Sequence, residues 1–484
     1  LFSTAPPPAG GGPGATTTQQ QAATLTQING MMADLERDTG GWVQSGVQIR
    51  GRDGESGLSR LTEAKVPLTW SSGSFGDARI NFSVTPMSLS AGSASGDAYR
   101  RYGAGAGAVA VQNMVDTVNA EILNMRSQLA SGNASALATL LSSQGINPST
   151  VNTINFDTLN PLTKQGQDNL ALLNGNSAIK NYLLASSNKP NVNTASSSAT
   201  DSQKASGVEL NLGLIGKNYK LDLGSTPLGQ DLNTLVGGVQ WSPKLTDFLT
   251  LIVTGERRAV TDSLLSYVGS KEAFSGKSWG QVTKNGGNVL LSYDNGDVGF
   301  YGGGGAYSYL GENVKSNTGV MANAGAYIRP FHDRDRELKT GVNLSWMNFA
   351  SNLSYYSYGQ GGYFSPQNYV SVSLPVEWSQ KYDNLSVKAG VAVGYQSYSL
   401  DRSDYFPNNP DWQAFLDDAV TNGFAKESHY AGDSKSGIGY NVHVGADYRV
   451  TKDVTVGGQM GYDTFGNYNE TTAQLYFRYG LGGK

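Results

Sequence analysis

From Thr472 to Tyr479 the chain alternates without a break: Ala473, Leu475, Phe477 and Tyr479 fall on one face, Gln474, Tyr476 and Arg478 on the other. Successive side chains of a strand point to opposite faces, so this segment has one apolar side and one polar side. An apolar strand ending on an aromatic residue almost at the C-terminus suits a barrel that closes its last strand on its first. One such segment constrains little, but the pattern recurs. Val43, Val47 and Ile49 alternate with Gln44, Gln48 and Arg50, and Ala64, Val66, Leu68 and Trp70 with Glu63, Lys65 and Thr69. Ile80, Phe82 and Val84 alternate with Arg79, Asn81, Ser83 and Thr85. Further strands are expected near 208–215, 218–224, 233–242, 247–257, 279–294, 297–310, 315–329, 336–348, 368–379, 384–399, 436–450, 453–463 and 470–479. With the three before residue 92 they make sixteen, an even number as a bacterial barrel requires.

A soluble β-sandwich shows the same alternation, and two regularities separate the classes. Connections alternate in length. The short ones are 71–77, 242–247, 294–296, 332–337, 379–384 and 451–453; the long ones are 92–207, 258–278, 349–367 and 400–435. Every long connection then leaves the same end of the barrel. Strands running towards the short turns finish in an outward aromatic: Trp70, Trp241, Tyr293, Trp378, Tyr448 and Tyr479. An amphipathic ring sits best at a membrane interface, so this row reads as a girdle. The expected fold is an all-β transmembrane barrel of sixteen antiparallel strands over 41–484, in contact with outer-membrane lipid.

Composition agrees. No apolar run approaches the ~18 residues of a spanning helix, which leaves a spanning barrel open. Charged residues are 15%, while Gly reaches 62 and Tyr 26, as many strands, tight turns and aromatic belts require. A net charge of −4 makes nucleic acid an unexpected partner. With no cysteine, disulfides, thiolate metal sites and a cysteine nucleophile are excluded. The chain opens at Leu1 without a signal peptide and reads as a piece of a longer precursor. Residues 1–21 read as a Pro/Gly/Thr/Gln-rich linker. Leu25, Ile28, Met31, Met32 and Leu35 mark an amphipathic helix over 19–37, either the end of an upstream helical array or a free helix. Residues 92–207 interrupt the strands as one long outer insertion. Val111, Val115, Val118, Ile122, Met125 and Leu129 lie at helical spacing within it, and shorter helices are expected near 134–142, 164–174 and 176–186.

The inward face by alternation collects Gln48, Arg50, Glu63, Lys65, Arg79, Asn81, Lys220, Asp222, Asn323, Arg329, Lys339, Asn343, Glu377, Lys388, Asn441, His443, Asp447, Arg449, Gln474 and Arg478. Both signs occur in similar number, so strong selection for an ionic substrate is not indicated. Sixteen strands leave an aqueous channel instead of a packed core. A wide, polar, near-neutral tube suits a neutral, hydroxyl-rich polymer. Arg50, Lys65, Arg79, Asn81, Asn323, Arg329, Asn343, Glu377, Asn441, Asp447, Arg449 and Arg478 are the candidate polymer path.

GRDGESGLSRLTEAKVPLTW (51–70), GERRAVTDSLLSYVG (255–269) and above all SYYSYGQGGYFSPQNYVSVSLPVEW (354–378) resemble the C-terminal region of the BcsC family, the outer-membrane subunits of bacterial cellulose synthase complexes. The likeness covers 41–484 apart from 101–205. It implies a periplasmic superhelix of tetratricopeptide repeats followed by a sixteen-stranded barrel that exports cellulose. The helix at 19–37 would then end the last repeat or connect it to the barrel. Partners implied are the β-glucan chain and the periplasmic and inner-membrane components of the synthase, reached through the repeat region.

No catalytic, cofactor-binding or metal-ligating residue is assigned. GKSWG (276–280) matches G-x-S-x-G but sits in a loop entering a strand, where the motif needs strand–turn–helix. GAGAGA (103–108) follows no βα unit and reads as flexible loop. His332, His429 and His443 fall in a short turn, a long loop and the lumen, so no metal cluster is expected. His443 and Asp447 read as polar wall. Loop 349–367 holds the candidate gate, Tyr355, Tyr356, Tyr358, Tyr363 and Phe364: either aromatics packing a loop onto the rim or ring faces that stack on sugar rings. Loop 400–435 is a second lid. The expected function is a conduit for β-glucan. The alternatives are a general or sugar-specific diffusion porin and a barrel enzyme with a His/Asp/Ser cluster at one rim.

Overall fold

The structure, a computed structural model, describes residues 40–130 and 197–481 with a few isolated positions between them. The linker expected over 1–21, the helix expected over 19–37, nearly all of the insertion's shorter helices and the last three residues lie outside the described residues. The strands are β1 (Trp42–Arg52), β2 (Leu61–Lys65, resumed as Leu68–Ser71), β3 (Ala78–Gly92), β4 (Gln203–Gly216), β5 (Tyr219–Ser225), β6 (Leu235–Trp241), β7 (Leu249–Ala259) and β8 (Ser278–Asp294). They continue as β9 (Val298–Glu312), β10 (Asn317–His332), β11 (Arg336–Phe349), β12 (Gln367–Lys381), β13 (Leu385–Leu400), β14 (Asp433–Arg449), β15 (Val454–Asp463) and β16 (Glu470–Gly480). Each pairs antiparallel with the next. The ring closes where β16 meets β1 in unbroken register from Trp42↔Gly480 to Arg52↔Glu470. The closing role expected of the last strand is met, and strand number and order match the sequence reading.

The break in β2 has a chemical cause. Pro67 has no N–H to give a ladder, and the neighbouring Val66 amide donates instead to the carbonyl of Pro86 on β3 at 2.9 Å. The barrel is inside-out. Outward Leu475 is 71% exposed and Ile438 75%, whereas inward Lys65 and Gln474 are 4% and 6%. Trp70, Trp241, Tyr293, Trp378, Tyr448 and Tyr479 all project from the outer wall as expected. With its lipid-facing side apolar and every strand paired, the wall satisfies the requirement of a transmembrane sheet, and the chain is an outer-membrane barrel. At the short-turn end, Asp333 Oδ1 accepts from the amides of Asp335 (3.0 Å) and Arg336 (2.8 Å), which hold its carboxyl below the usual range.

Among the described residues, four helices sit in the long connections: α1 (Asp97–Arg100), α2 (Gly105–Ala130), α3 (Leu264–Val268) and α4 (Pro410–Thr421). The GAGAGA segment is therefore not a flexible loop. Gly103 takes a positive φ of 53°, and the chain then enters α2, whose Ala106 and Ala110 are buried. Small side chains here allow close packing of the helix start, a contact that the run's glycine content conceals.

Candidate functional site

The lumen wall is charged, and many of its charges are matched. Arg50 lies 2.8 Å from Glu63, Arg52 2.7 Å from Glu470, Lys65 3.1 Å from Glu209, and Lys284 2.9 Å from Glu256. Arg329 meets Asp294 at 2.7 Å, Lys339 meets Glu377 at 3.1 Å, and Arg258 pairs with Asp222. A fixed charge with its counter-charge a hydrogen bond away contributes little to the field along the axis.

Every candidate path residue faces inward, but they form separate groups. Arg50 and Lys65 share the Glu63 cluster near the outer end. Arg79 reaches Ser74 Oγ at 3.4 Å at the short-turn end, where Arg449 also sits at the end of β14. Asn81 opposes Gly213, and Asn323 lies between Gly303 and Ser345. Asn343 accepts from Tyr301 Oη at 2.5 Å. Asn441 donates to Asp463 at 2.6 Å. Asp447 accepts from Tyr476, and Arg478 donates to Gln44 at 2.9 Å with its guanidinium 4.4 Å from the centre of the Trp42 ring. A cavity in the wall brings Lys339, Asn343, Pro375, Glu377, Asn441 and His443 together.

Sequence reading missed two kinds of lumen residue. Acids such as Glu209, Glu256 and Glu470 go unnoticed because their partners lie on other strands. Inward tyrosines go unnoticed because a tyrosine reads as membrane-facing. Tyr301 and Tyr327 are only 6% and 8% exposed, each lying against a glycine of a neighbouring strand. A Cβ on Gly325 would stand 2.4 Å from the Tyr301 ring, and one on Gly299 2.1 Å from that of Tyr327. The glycine runs admit these rings, and the available signal was a glycine in register beside an inward-phase tyrosine.

The outer mouth carries a dry core. Loop 260–277 folds in through α3, where Ser263 caps the helix by accepting from the Ser266 amide and donates to the Gly362 carbonyl at 2.6 Å. Tyr267 accepts from Lys65 Nζ at 2.8 Å and donates to Glu209. In the candidate gate, Tyr358, Tyr363 and Phe364 are 5%, 1% and 4% exposed. Tyr355 stacks on Tyr430 at 3.7 Å, Tyr405 stacks on the same ring at 4.1 Å, and Tyr356 packs alongside. Leu416 and Ala419 of α4 and Ala106 and Ala110 of α2 join this core. In this arrangement the aromatics are packed within the loop core. Each fully buried ring contributes about 1.5–3 kcal/mol.

Asp262 stands where these loops meet. Its carboxylate accepts from the Phe364 amide at 2.9 Å and Tyr468 Oη at 3.4 Å, while its carbonyl accepts from Arg52 Nη1 at 2.5 Å. Loop 260–277 leaves the wall between β7 and β8, about half-way round from β1, so these bonds join it across the mouth to β1 and to the loops that carry Phe364 and Tyr468. Burial pushes the Asp262 carboxyl up, and the Arg52 charge opposes the shift. Burial likewise pushes the Tyr102 hydroxyl, 2.5 Å from Ser270 Oγ, up to about 12.

A His, an Asp and a Ser do meet at the outer rim. His429 Nδ1 lies 2.9 Å from Ser428 Oγ, and its Nε2 lies 3.1 Å from Asp404. The trio fastens the Ser403–Asp404 and His429–Tyr430 pairing, and buried Ser428 is further held through its carbonyl by Gln413 Nε2 at 2.9 Å. His443 faces Asn441 at 3.3 Å, and Asp447 turns to Tyr476, so those two do not form a pair. Ser278 of GKSWG opens β8, outside the strand–turn–helix setting.

Comparison with known sequences gives one consistent result. The model of the cellulose synthase operon protein C C-terminus family matches residues 165–482. Cellulose synthase operon protein C of Xanthomonas axonopodis pv. citri is 28% identical over 501 residues, covering 90% of this chain and 33% of that protein. The protein of the same name from Pseudomonas fluorescens is 29% identical over 447 residues, covering 92% of this chain and 27% of its own length. The chain thus spans about a third or less of these relatives. Among solved structures, a bacterial polysaccharide outer membrane secretin superposes with a TM-score of 0.45 at 7% identity, covering 92% of this chain and all of that one. The chain belongs to the family formed by the C-terminal region of cellulose synthase operon protein C.

Proposed function

We propose that the barrel is the outer-membrane conduit through which a nascent β-glucan, cellulose by family membership, reaches the cell surface. The observation that carries this is the lumen: a polar wall with many of its fixed charges paired across strands, suited to a neutral polymer in hydrated contact. The path residues Arg50, Lys65, Arg79, Asn81, Asn323, Arg329, Asn343, Glu377, Asn441, Asp447, Arg449 and Arg478 act as many exchangeable contacts, with no covalent step at any of them. The synthase in the inner membrane pushes the polymer, and the repeat region expected upstream links the two. Secretion of glucan by cells lacking only this gene would refute the reading. A stable trimer by light scattering of the detergent-solubilised protein would favour a diffusion porin.

Conduction needs sites that are many and weak. Asn343→Ala and Arg449→Ala are therefore each expected to leave glucan export within about twofold of the parent. The first leaves Tyr301 Oη without its 2.5 Å acceptor, a loss of about 1 kcal/mol spread over a large barrel. Abolished export from either single change, measured by glucan released per cell with folded barrel held equal, sinks the many-weak-sites picture.

A further inference from the structure

Arg50 and Arg52 enter the lumen at the outer end of β1, where Arg52 stands on the last rung opposite Glu470. Their acid partners engage only part of each guanidinium. Arg52 donates Nε (3.2 Å) and Nη2 (2.7 Å) to one Glu470 oxygen and turns Nη1 to the Asp262 carbonyl at 2.5 Å. Arg50 donates Nη2 to Glu63 at 2.8 Å and to the Thr261 carbonyl at 3.0 Å, with Nη1 3.5 Å from the Thr261 hydroxyl and 3.6 Å from Glu470. The Arg52 guanidinium lies 3.5 Å from the centre of the Tyr468 ring. Beyond its acids, then, the pair holds three neutral oxygens from two consecutive residues, beside an aromatic face. Two rigid forks that divide their donors between carboxylates and neutral oxygens are a donor set suited to a glycan's hydroxyls.

The segment filling this site is held by an imperfect contact. The Asp262 carboxylate ties it to two other loops through one oxygen, while the second, Oδ1, has no partner although the residue is 3% exposed. An unpartnered buried carboxylate oxygen opposes the closed arrangement.

We propose that Arg50 and Arg52 form the last glycan-binding subsite before the cell surface, and that the Thr261–Asp262 segment fills it in the closed state as an internal stand-in for the polymer's oxygens. The proposal rests on the export reading. Polymer arriving at the mouth exchanges its hydroxyls for the loop's oxygens with no net loss of hydrogen bonds, so occupancy of the subsite and opening of the mouth are one event.

The test uses the full-length protein in planar bilayers, with cellohexaose and maltohexaose as probes of ion current. Asp262→Ala keeps the carbonyl that accepts from Arg52 but frees the segment from Phe364 and Tyr468. It is expected to raise open time and to let cellohexaose block at about tenfold lower concentration than in the parent, about the worth of one lost anchoring hydrogen bond. Asp262→Asn keeps an acceptor for the Phe364 amide and should track the parent. Adding Arg52→Lys to Asp262→Ala keeps a cation opposite Glu470 but removes the fork, and the gained block should vanish. Should Asp262→Ala fail to fold, judged by heat-modifiable migration, Arg52→Lys alone decides: more opening without gained block supports the subsite. An Asp262→Ala channel that opens with unchanged cellohexaose sensitivity overturns the proposal, as does an Arg52→Lys channel blocked as readily as Asp262→Ala. Equal block by maltohexaose supports the subsite and counts against the β-glucan reading, which separates the two failures.

Discussion

Cells whose protein carries Ser263→Cys together with Gly362→Cys are expected to stop secreting glucan in oxidising medium and to resume when a reductant is added. The pair joins two loops that leave the wall at different points and meet over the mouth, where Ser263 donates to the Gly362 carbonyl at 2.6 Å. A Cβ built on Gly362 would lie 2.8 Å from Ser263 Oγ, close to the Cβ–S separation across a disulfide. Gly362 has a φ of 64°, and a side chain there costs about 1–2 kcal/mol. The bond offsets that cost by constraining the unfolded chain, typically by about 2–4 kcal/mol. Because the chain has no cysteine, the engineered pair has no competing thiol within it. Export in oxidising medium should fall at least about tenfold, since opening must then break a covalent bond in place of contacts worth about 1 kcal/mol each. The single cysteine variants should export normally with or without reductant. Undiminished secretion from the oxidised double variant, with the disulfide verified by mass, shows that the polymer leaves without parting these loops.

The wall of this molecule was legible in the sequence, and the mouth was not. Alternation is local: Leu475, Phe477 and Tyr479 announce their face within eight residues, and a lipid-facing row has no competing reason to exist in a soluble sheet. Register followed from the same pattern, since a one-residue slip would turn every apolar side chain inward. The cap obeys no such period. Arg52, Asp262, Phe364 and Tyr468 are brought together from four distant stretches, and nothing near any of them signals the others. Polar groups in the mouth were harder still. Asp262 sits among apolar residues in AVTDSLLSYV and reads as solvated loop, yet its place is fixed by partners 102 and 206 residues away. The helical entry at GAGAGA was missed for a related reason. Glycine content argues for flexibility, and the packing around Ala106 and Ala110 that overrides it is tertiary.

Leu475→Arg should be among the most destabilising single changes in the barrel, although the side chain touches little protein and is 71% exposed. Leu475 lies at the middle of β16, opposite Val47 on one side and Gly458 on the other, so it faces the centre of the hydrocarbon. A guanidinium placed there costs about 2–4 kcal/mol, a cost that falls towards zero at the interfaces. Depth makes the effect diagnostic. The same charge at Tyr479, in the aromatic girdle of that strand, should cost under about 1 kcal/mol, apart from the lost ring. Asn323→Arg, facing the aqueous lumen, should likewise stay near the parent. Reversible urea unfolding in phospholipid vesicles reads all three. In a soluble protein an exposed Leu→Arg change is usually within about 0.5 kcal/mol of neutral, so the two environments predict opposite rankings. Equal stability of Leu475→Arg and Asn323→Arg in vesicles would place water, not lipid, outside β16, and the transmembrane assignment would fall with it.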